Sequence, residues 1–150
     1  MRNGAGRDRK ITPEDISLLV PNARESTIFA LVAALGRGDR KRSLLTLDAL
    51  LREGEYLPLA LTFLGTQFRL AMVAHEANLR SAQQIQAHFT RQGIKMWRDR
   101  AEQVNQTIAA FPGEKLGQAI DKVFQADRAL RDARPDDRVV MEELVFSLTS

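Results

Sequence analysis

The spacing of apolar residues constrains the fold of this chain more than any other feature of its sequence. Apolar side chains recur at intervals of three and four almost throughout, as in the run Leu57, Leu61, Leu64 and Phe68. Steps of three and four return to one face of an α-helix, whereas a strand buried on one face alternates every second residue. No segment shows that alternation over the length of a strand. The sequence therefore predicts an all-α fold.

Start and stop signals divide this pattern into helices. The sequence TPED at 12–15 combines a capping hydroxyl, a proline at the first helical position and an acid, which is typical of a helix start. It predicts a short helix that ends before Pro21. Asp39 and Ser81 are predicted caps of later helices, and Gly54 follows an apolar stripe as glycine does at many helix ends. The remaining pattern predicts seven further helices, which begin near residues 26, 39, 57, 81, 97, 116 and 135.

Helices of this length, joined by short turns, pack as antiparallel neighbours. We therefore expect residues 22–150 to form an antiparallel, bundle-like array of about seven helices. The segment 11–21 is too short to hold a core alone, so we expect either the remnant of a preceding module or a prop packed on the bundle. Residues 1–10 are basic and polar without an apolar run, which excludes a secretory signal there. They are expected to be a disordered lead-in or a cloning remnant.

Composition narrows the class of protein. The chain has no cysteine, which excludes disulfides, thiolate zinc sites and cysteine nucleophiles. We expect no apolar run long enough to cross a bilayer and a cytoplasmic location. The formal net charge of +3 permits a nucleic-acid partner without indicating one.

The sequence offers no catalytic centre. His75 and His88 lie thirteen residues apart in different predicted helices and lack the partner spacing of a metal site. The glycine pattern of a phosphate-binding loop is also absent from the sequence. We therefore expect no catalytic residue, no metal site and no cofactor, and a chain that is not itself an enzyme.

Asp127 is the most informative acid, because it falls on a predicted buried stripe with Val123 and Leu130. A buried carboxylate must be paired or hydrogen-bonded. One hypothesis is a structural ion pair with Arg69, which lies in the most apolar predicted helix. The alternative is a local pair with Arg131, four residues further along the same helix.

The segment 81–110 is the best candidate for contact with nucleic acid. A short helix, a break at Gly93 and a longer helix with Lys95, Arg98 and Arg100 have the proportions of a helix-turn-helix. Arg134, in the last loop, is a further candidate contact. The alternative function is thus a small stand-alone DNA-binding protein. Helix pairs of this kind are common in all-α folds, so a purely structural role stays open.

Ordered motifs add a family resemblance. The first three are IFALV at 28–32 followed by Gly38-Asp39, LLREGE at 50–55 and QFRL at 67–70. The last three are ADRALR at 126–131, RPDDR at 134–138 and EELV at 142–145. Their order and spacing resemble the C-terminal domain of the bacterial DNA polymerase III delta subunit family, a component of the sliding-clamp loader. Residues 11–16 resemble the helix that closes the lid-like domain just upstream, and Arg131 stands where many relatives carry lysine.

The resemblance implies a role in assembly. In that family two N-terminal AAA+-like domains, which this chain lacks, precede the C-terminal domain, and the first of them grips the sliding clamp. Delta is not the ATP-hydrolysing subunit, and its C-terminal domain packs beside those of the other subunits in a circular collar. The implied partners are clamp-loader subunits of the gamma/tau and delta prime type. Contact with the clamp would require the missing domains, contact with DNA would be peripheral, and no membrane is involved.

A collar domain needs apolar surface that remains after its own core is packed. Residues off the main apolar stripes are the candidates for a subunit interface, although several could instead complete the core. These candidates are Phe29, Tyr56, Leu59, Phe63, Leu70 and Phe124.

Overall fold

The computed structural model describes residues 23–132 and 136–150, and side chains from Thr27 onward. These residues form seven α-helices and no strand, which confirms the predicted all-α fold. The helices are α1 (Ala23–Gly36), α2 (Arg40–Glu53), α3 (Leu57–Glu76), α4 (Ala82–Arg91), α5 (Arg98–Ala110), α6 (Lys115–Arg131) and α7 (Asp137–Leu148). The short helix predicted within residues 11–21, the lead-in 1–10 and Arg134 lie outside the described residues.

The helix ends follow the local chemistry of the sequence. The side chain of Asp39 accepts a hydrogen bond from the backbone N–H of Arg42 at 3.0 Å and so begins α2. Ser81 caps α4 in the same way, accepting from the backbone N–H of Gln84 at 3.1 Å. Gly54 ends α2 with a φ of 71°, in the left-handed region that glycine adopts without steric cost. The predicted caps therefore mark real helix boundaries.

Helix α3 is the core of the array. It packs against α1, α5 and α6, and α4 packs on α5. The helices α1, α2, α7, α6 and α3 contact one another in turn, and α3 returns to α1. Phe68 of α3 is fully buried, and its ring meets the ring of Phe111 edge-on at 4.9 Å. Most of the hydrophobic core is thus organised around one helix that is covered on several sides.

The length and apolarity of α3 correct one expectation. This helix of 20 residues has a mean hydropathy of 1.4 in its most apolar window, and within the described residues it is long and apolar enough to cross a membrane. The expectation that no apolar run reaches that length was wrong. In the structure 56% of that window is buried inside the protein, so the apolar side chains of α3 pack against its neighbouring helices.

Two contacts fix the register of the helix pairs α3–α6 and α2–α7. Gly117 lies near the start of α6 and Met72 near the end of α3. A Cβ added to Gly117 would lie 3.8 Å from the terminal methyl of Met72, so α3 and α6 run antiparallel. Arg40, at the start of α2, donates a hydrogen bond to the hydroxyl of Thr149 just after α7, at 2.8 Å. These registers decide which side chains face each other across the helix pairs.

A polar contact lies inside the core where α1, α3 and α5 meet. The Thr107 hydroxyl donates to the carbonyl oxygen of Gln103 at 3.0 Å and accepts from Nε2 of Gln67 at 3.1 Å. A hydroxyl has one proton, so the first bond fixes its acceptor role in the second. A Cβ on Gly36 would approach Thr107 Oγ1 to 2.8 Å. The close approach of α1 to α5 therefore requires glycine at position 36.

Candidate assembly surface

Large apolar side chains remain exposed after the described helices have packed. Scattered single apolar residues are ordinary on a protein surface, but those beside an apolar concavity indicate a partner. The exposed residues are Leu45, Tyr56, Val73, Trp97, Phe124, Val139 and Phe146.

Two predicted interface residues belong to the core. Phe63 is 3% exposed and Leu70 is 9% exposed. Both lie on α3, and the ring of Phe63 lies 5.3 Å from the ring of Phe29 on α1. Their assignment to a subunit interface was wrong, because both side chains are buried when the described helices pack, Phe63 against α1.

The other four predicted interface residues fall into two groups, one partly buried and one exposed. Phe29 and Leu59 are partly buried and pack against the core. Tyr56 and Phe124 are 70% and 60% exposed, respectively. Only these last two candidates are largely free for a partner in the described part of the chain.

Phe124 stands at the edge of a groove between α3 and α6. The groove has a volume of about 360 Å³, and its apolar lining includes Leu61, Ile120 and Val123. The guanidinium of Arg69 lies over Gly65, within 3.6 Å of where a Cβ at that position would be, so the arginine head group folds back along α3 at the groove. An apolar concavity beside an exposed aromatic ring suits an anchoring side chain from a partner.

Charged groups surround the apolar part of the groove. Arg69, Asp121 and Asp127 are among its lining residues. The guanidinium carbon of Arg128 lies 6.0 Å from the centre of the Phe124 ring, at the outer limit of a cation–π contact. The groove thus combines an apolar centre with charges of both signs, as protein interfaces commonly do.

Asp127 pairs along its own helix and not across the groove. Its carboxylate lies 2.8 Å from the guanidinium of Arg131, and the described residues contain no ion pair between Arg69 and Asp127. The contact between Met72 and Gly117 places Arg69 opposite residue 120 and Asp127 opposite residue 62. Seven residues separate those levels, which is about 10 Å along a helix. The predicted Arg69–Asp127 pair was therefore wrong, and the local alternative is the one observed.

A second group of charges ties α7 to α2. Arg138 reaches Asp48 and Glu142, each at 3.3 Å. The hydrogen bond to Asp48, and then the one to Glu142, raise the pKa of the Arg138 guanidinium above its ordinary value. Arg40 lies over the ring of Phe146 at 5.1 Å. Exposed pairs of this kind contribute little to stability individually.

The helix-turn-helix candidate does not present a basic recognition face. Lys95 and Arg98 are exposed, but Arg100 is partly buried and its Nε and Nη2 atoms are shielded from solvent. Asp99 and Glu102 are exposed on α5 beside Arg98, which lies 3.6 Å from Glu102. A helix that enters the major groove would place acids against phosphates here. The shielded atoms of Arg100 do not favour its prediction as a DNA contact, and the geometry does not favour the stand-alone duplex-reading alternative.

The described residues contain no group of three or more histidine, cysteine, aspartate or glutamate side chains that could hold a metal ion. His75 is exposed, and His88 is partly buried with its ring edge-on to Phe89 at 5.3 Å. Among the surface features of this part of the chain, the groove beside Phe124 combines an apolar concavity with an exposed aromatic side chain.

Comparisons with known proteins agree with the motif order. The family model described as "DNA polymerase III delta subunit, C-terminal domain" matches residues 25–148. The fold is similar to a solved structure of the Bacillus subtilis DNA clamp loader delta protein (YqeN), with a TM-score of 0.63 and 21% sequence identity. That match covers 91% of this chain and 39% of the YqeN chain, so this chain spans well under half of its relative's length. No curated protein matches the chain.

The family match covers most of the chain and includes all seven described helices except the first two residues of α1. The chain therefore belongs to the family of C-terminal domains of DNA polymerase III delta subunits.

Proposed function

We propose that this chain is the collar domain of a clamp-loader delta subunit. In this role it holds the clamp-loader subunits together for the loading of the sliding clamp during DNA replication. Its neighbours are clamp-loader subunits of the gamma/tau and delta prime type, in the cytoplasm. The sliding clamp is gripped by domains that precede this one in the full delta subunit. Membership of the delta C-terminal family supports this proposal.

The observation that carries the proposal is the exposed ring of Phe124 beside the α3–α6 groove. The ring is 60% exposed, and the groove next to it is lined by Leu61, Ile120 and Val123. We expect a helix of a neighbouring subunit to lay its apolar face into this groove, as amphipathic helices do in grooves of other proteins. Burying a large aromatic side chain contributes about 1.5–3 kcal/mol to association before its costs. One such anchor can therefore dominate an interface.

The charged groups at the rim of the groove favour one orientation of the bound partner. Arg69 and Asp121 line the groove as exposed groups of opposite charge. Charges at the rim add little affinity, but they select a partner and its orientation. The domain helps to assemble the DNA polymerase III holoenzyme. The DNA polymerase activity of that complex resides in other chains.

Co-purification with the other clamp-loader subunits tests this proposal. We expect the chain to co-elute with a mixture of gamma/tau and delta prime subunits and not with the sliding clamp alone. The variant Phe124→Ser should keep its thermal stability, because exposed substitutions usually change stability by about 0.5 kcal/mol or less. Its affinity for the other subunits should fall by about thirtyfold or more, since an anchoring residue contributes about 2 kcal/mol or more.

Phe146→Ser is the matched control. Phe146 is also an exposed aromatic ring, at 46%, and lies on α7 away from the groove. We expect this variant to co-elute like the unmodified chain. Loss of assembly through Phe146→Ser alone would move the interface to the α2–α7 side, and failure of the unmodified chain to co-elute at all would count against a collar role.

A further inference from the structure

A polar pocket lies where the ends of four helices meet. It has a volume of about 300 Å³, at the lower end of the range for small-molecule sites. The end of α1, the end of α5, the first two turns of α6 and the end of α7 contribute its walls. We call it the helix-end pocket, and its lining residues come from 37–38, 110–111, 115–122 and 147–150. It shares no lining residue with the Phe124 groove.

Three cations line the helix-end pocket, and no acidic side chain lines it. Residues 101–150, which supply most of the walls, contain six basic and nine acidic side chains, so the pocket differs in charge from its own part of the chain. Asp39 and Glu114 lie beside two of the cations, but neither lines the pocket. The pocket is therefore suited to an anion. The three cations are Arg37, Lys115 and Lys122.

Helix capping accounts for two of these cations but not for the third. Cations interact favourably with the dipole at a helix C-terminus. Lys122 does so at the end of α7, where its Nζ donates a hydrogen bond to the carbonyl oxygen of Ser147 at 3.0 Å. Arg37 directly follows the end of α1. Lys115, in contrast, is the first residue of α6, where a positive charge is unfavourable for the helix.

The spacing of the cations indicates the size of the anion. Lys115 and Lys122 are seven residues apart, so they lie on one face of α6 about 10 Å apart along the helix. A single phosphate is short for this span, whereas two or three linked phosphates present charged oxygens at both ends. Arg37 adds a guanidinium from the α1 side, and a guanidinium can bond two oxygens of one phosphoryl group.

We propose that the helix-end pocket binds a compact polyphosphate, either inorganic or the phosphate tail of a free nucleotide. Lys115 and Lys122 contact its two ends, and Arg37 contacts the phosphates from the α1 side. A nucleic-acid strand is a poorer fit, because the one aromatic ring in the lining, Phe111, is 3% exposed and offers no face for a base to stack on. This binding goes beyond subunit assembly.

Isothermal titration calorimetry of the full chain with pyrophosphate, in a buffer free of divalent cations, tests this proposal. We expect one saturable site per chain and an affinity that falls as salt screens the charges. Inorganic phosphate should bind at least about tenfold more weakly, because it loses a charge-assisted contact at one end. ADP separates the two sources: binding at least as tight as that of pyrophosphate would assign the site to a nucleotide tail, and weaker binding to free polyphosphate. Both results support the proposal.

Two double variants separate the pocket from the general charge of the chain. Arg37→Ala with Lys115→Ala should weaken pyrophosphate binding by at least about tenfold. Both side chains are exposed, so this variant should melt close to the temperature of the unmodified chain. The matched control is Arg80→Ala with Arg91→Ala, which removes two exposed cations that do not line the pocket. Pyrophosphate should raise the melting temperature of the control and of the unmodified chain, because a ligand of the folded state stabilises it.

Several results would overturn the proposal. The absence of saturable binding would show that the pocket is an ordinary solvated cleft, and an equal loss of affinity in the control would show attraction by net charge alone. Inorganic phosphate that binds as tightly as pyrophosphate would contradict the span between Lys115 and Lys122. Displacement of pyrophosphate by oligothymidylate or polyglutamate as effectively as by tripolyphosphate, at equal concentration of charge, would show that the pocket does not select a compact anion.

Discussion

At the scale of single residues, the hydroxyl of Thr107 connects three helices. It bonds to Gln103 within α5 and to Gln67 of α3, and it lies next to Gly36 of α1. A buried donor that loses its acceptor retains the full cost of desolvation. The Oε1 atom of Gln67 is also buried, and it has no hydrogen-bond partner among the described residues. Burial of the Gln67 amide is therefore compensated mainly by its hydrogen bond to Thr107.

Thr107→Val should lower the free energy of unfolding by about 1–3 kcal/mol, because it leaves Nε2 of Gln67 without an acceptor. Adding Gln67→Met should recover at least half of that loss, since it removes both buried polar atoms of the glutamine. Urea denaturation of the two single variants and the double variant measures this coupling. Strictly additive losses would show that the hydrogen bond does not form.

Double-mutant cycles can also test whether Asp127 forms its ion pair with Arg131 or with Arg69. The structure predicts a coupling energy between Asp127 and Arg131 of about 0.3–0.5 kcal/mol, as for other exposed pairs four residues apart in a helix. It predicts no measurable coupling between Asp127 and Arg69. Double-mutant cycles with Asp127→Asn, Arg131→Ala and Arg69→Ala give both values, and a larger coupling for Arg69 would contradict the observed register.

At the scale of elements, the predicted helix starts and ends were mostly right because capping is local. Asp39 and Ser81 bond to backbone N–H groups three residues further on, and Gly54 ends α2. None of these contacts depends on the rest of the fold. Trp97 shows where local pattern fails: spacing alone puts it on the stripe of α5, but helix α5 begins one residue later.

Alanine substitutions at two glycines distinguish the effect of backbone conformation on stability from the effect of packing. Gly54→Ala should destabilise the protein by about 1–2 kcal/mol, because φ is 71° and alanine is strained there although nothing lies within 4 Å of its Cβ. Gly117→Ala should stabilise it by up to about 1 kcal/mol, since the position is inside α6 and the nearest atom to a Cβ is 3.8 Å away. Thermal or urea melts give both signs, and a loss at Gly117 as large as at Gly54 would contradict this assignment.

At the scale of the whole molecule, the order of helix contacts decides which apolar residues are left over. The sequence shows that α3 has apolar side chains around most of its circumference, but not which sides are covered. Phe63 is covered by α1 and Leu70 is buried in the core, whereas Phe124 of α6 is not covered by any described helix. The groove between α3 and α6 depends on their antiparallel register, which is a tertiary property. This is why the fold class could be predicted from the sequence while four of six interface candidates turned out to lie wholly or partly in the core.

Photo-cross-linking from position 124 is the most direct test of the central claim that this domain holds a neighbouring subunit through its α3–α6 groove. Phe124 would be replaced by p-benzoylphenylalanine, and the chain would be irradiated with gamma/tau and delta prime clamp-loader subunits. The groove model predicts a covalent product with one of these subunits from position 124 and none from the same replacement at Phe146. Cross-links from position 146 alone, or from neither position in a mixture that contains every subunit, would contradict it.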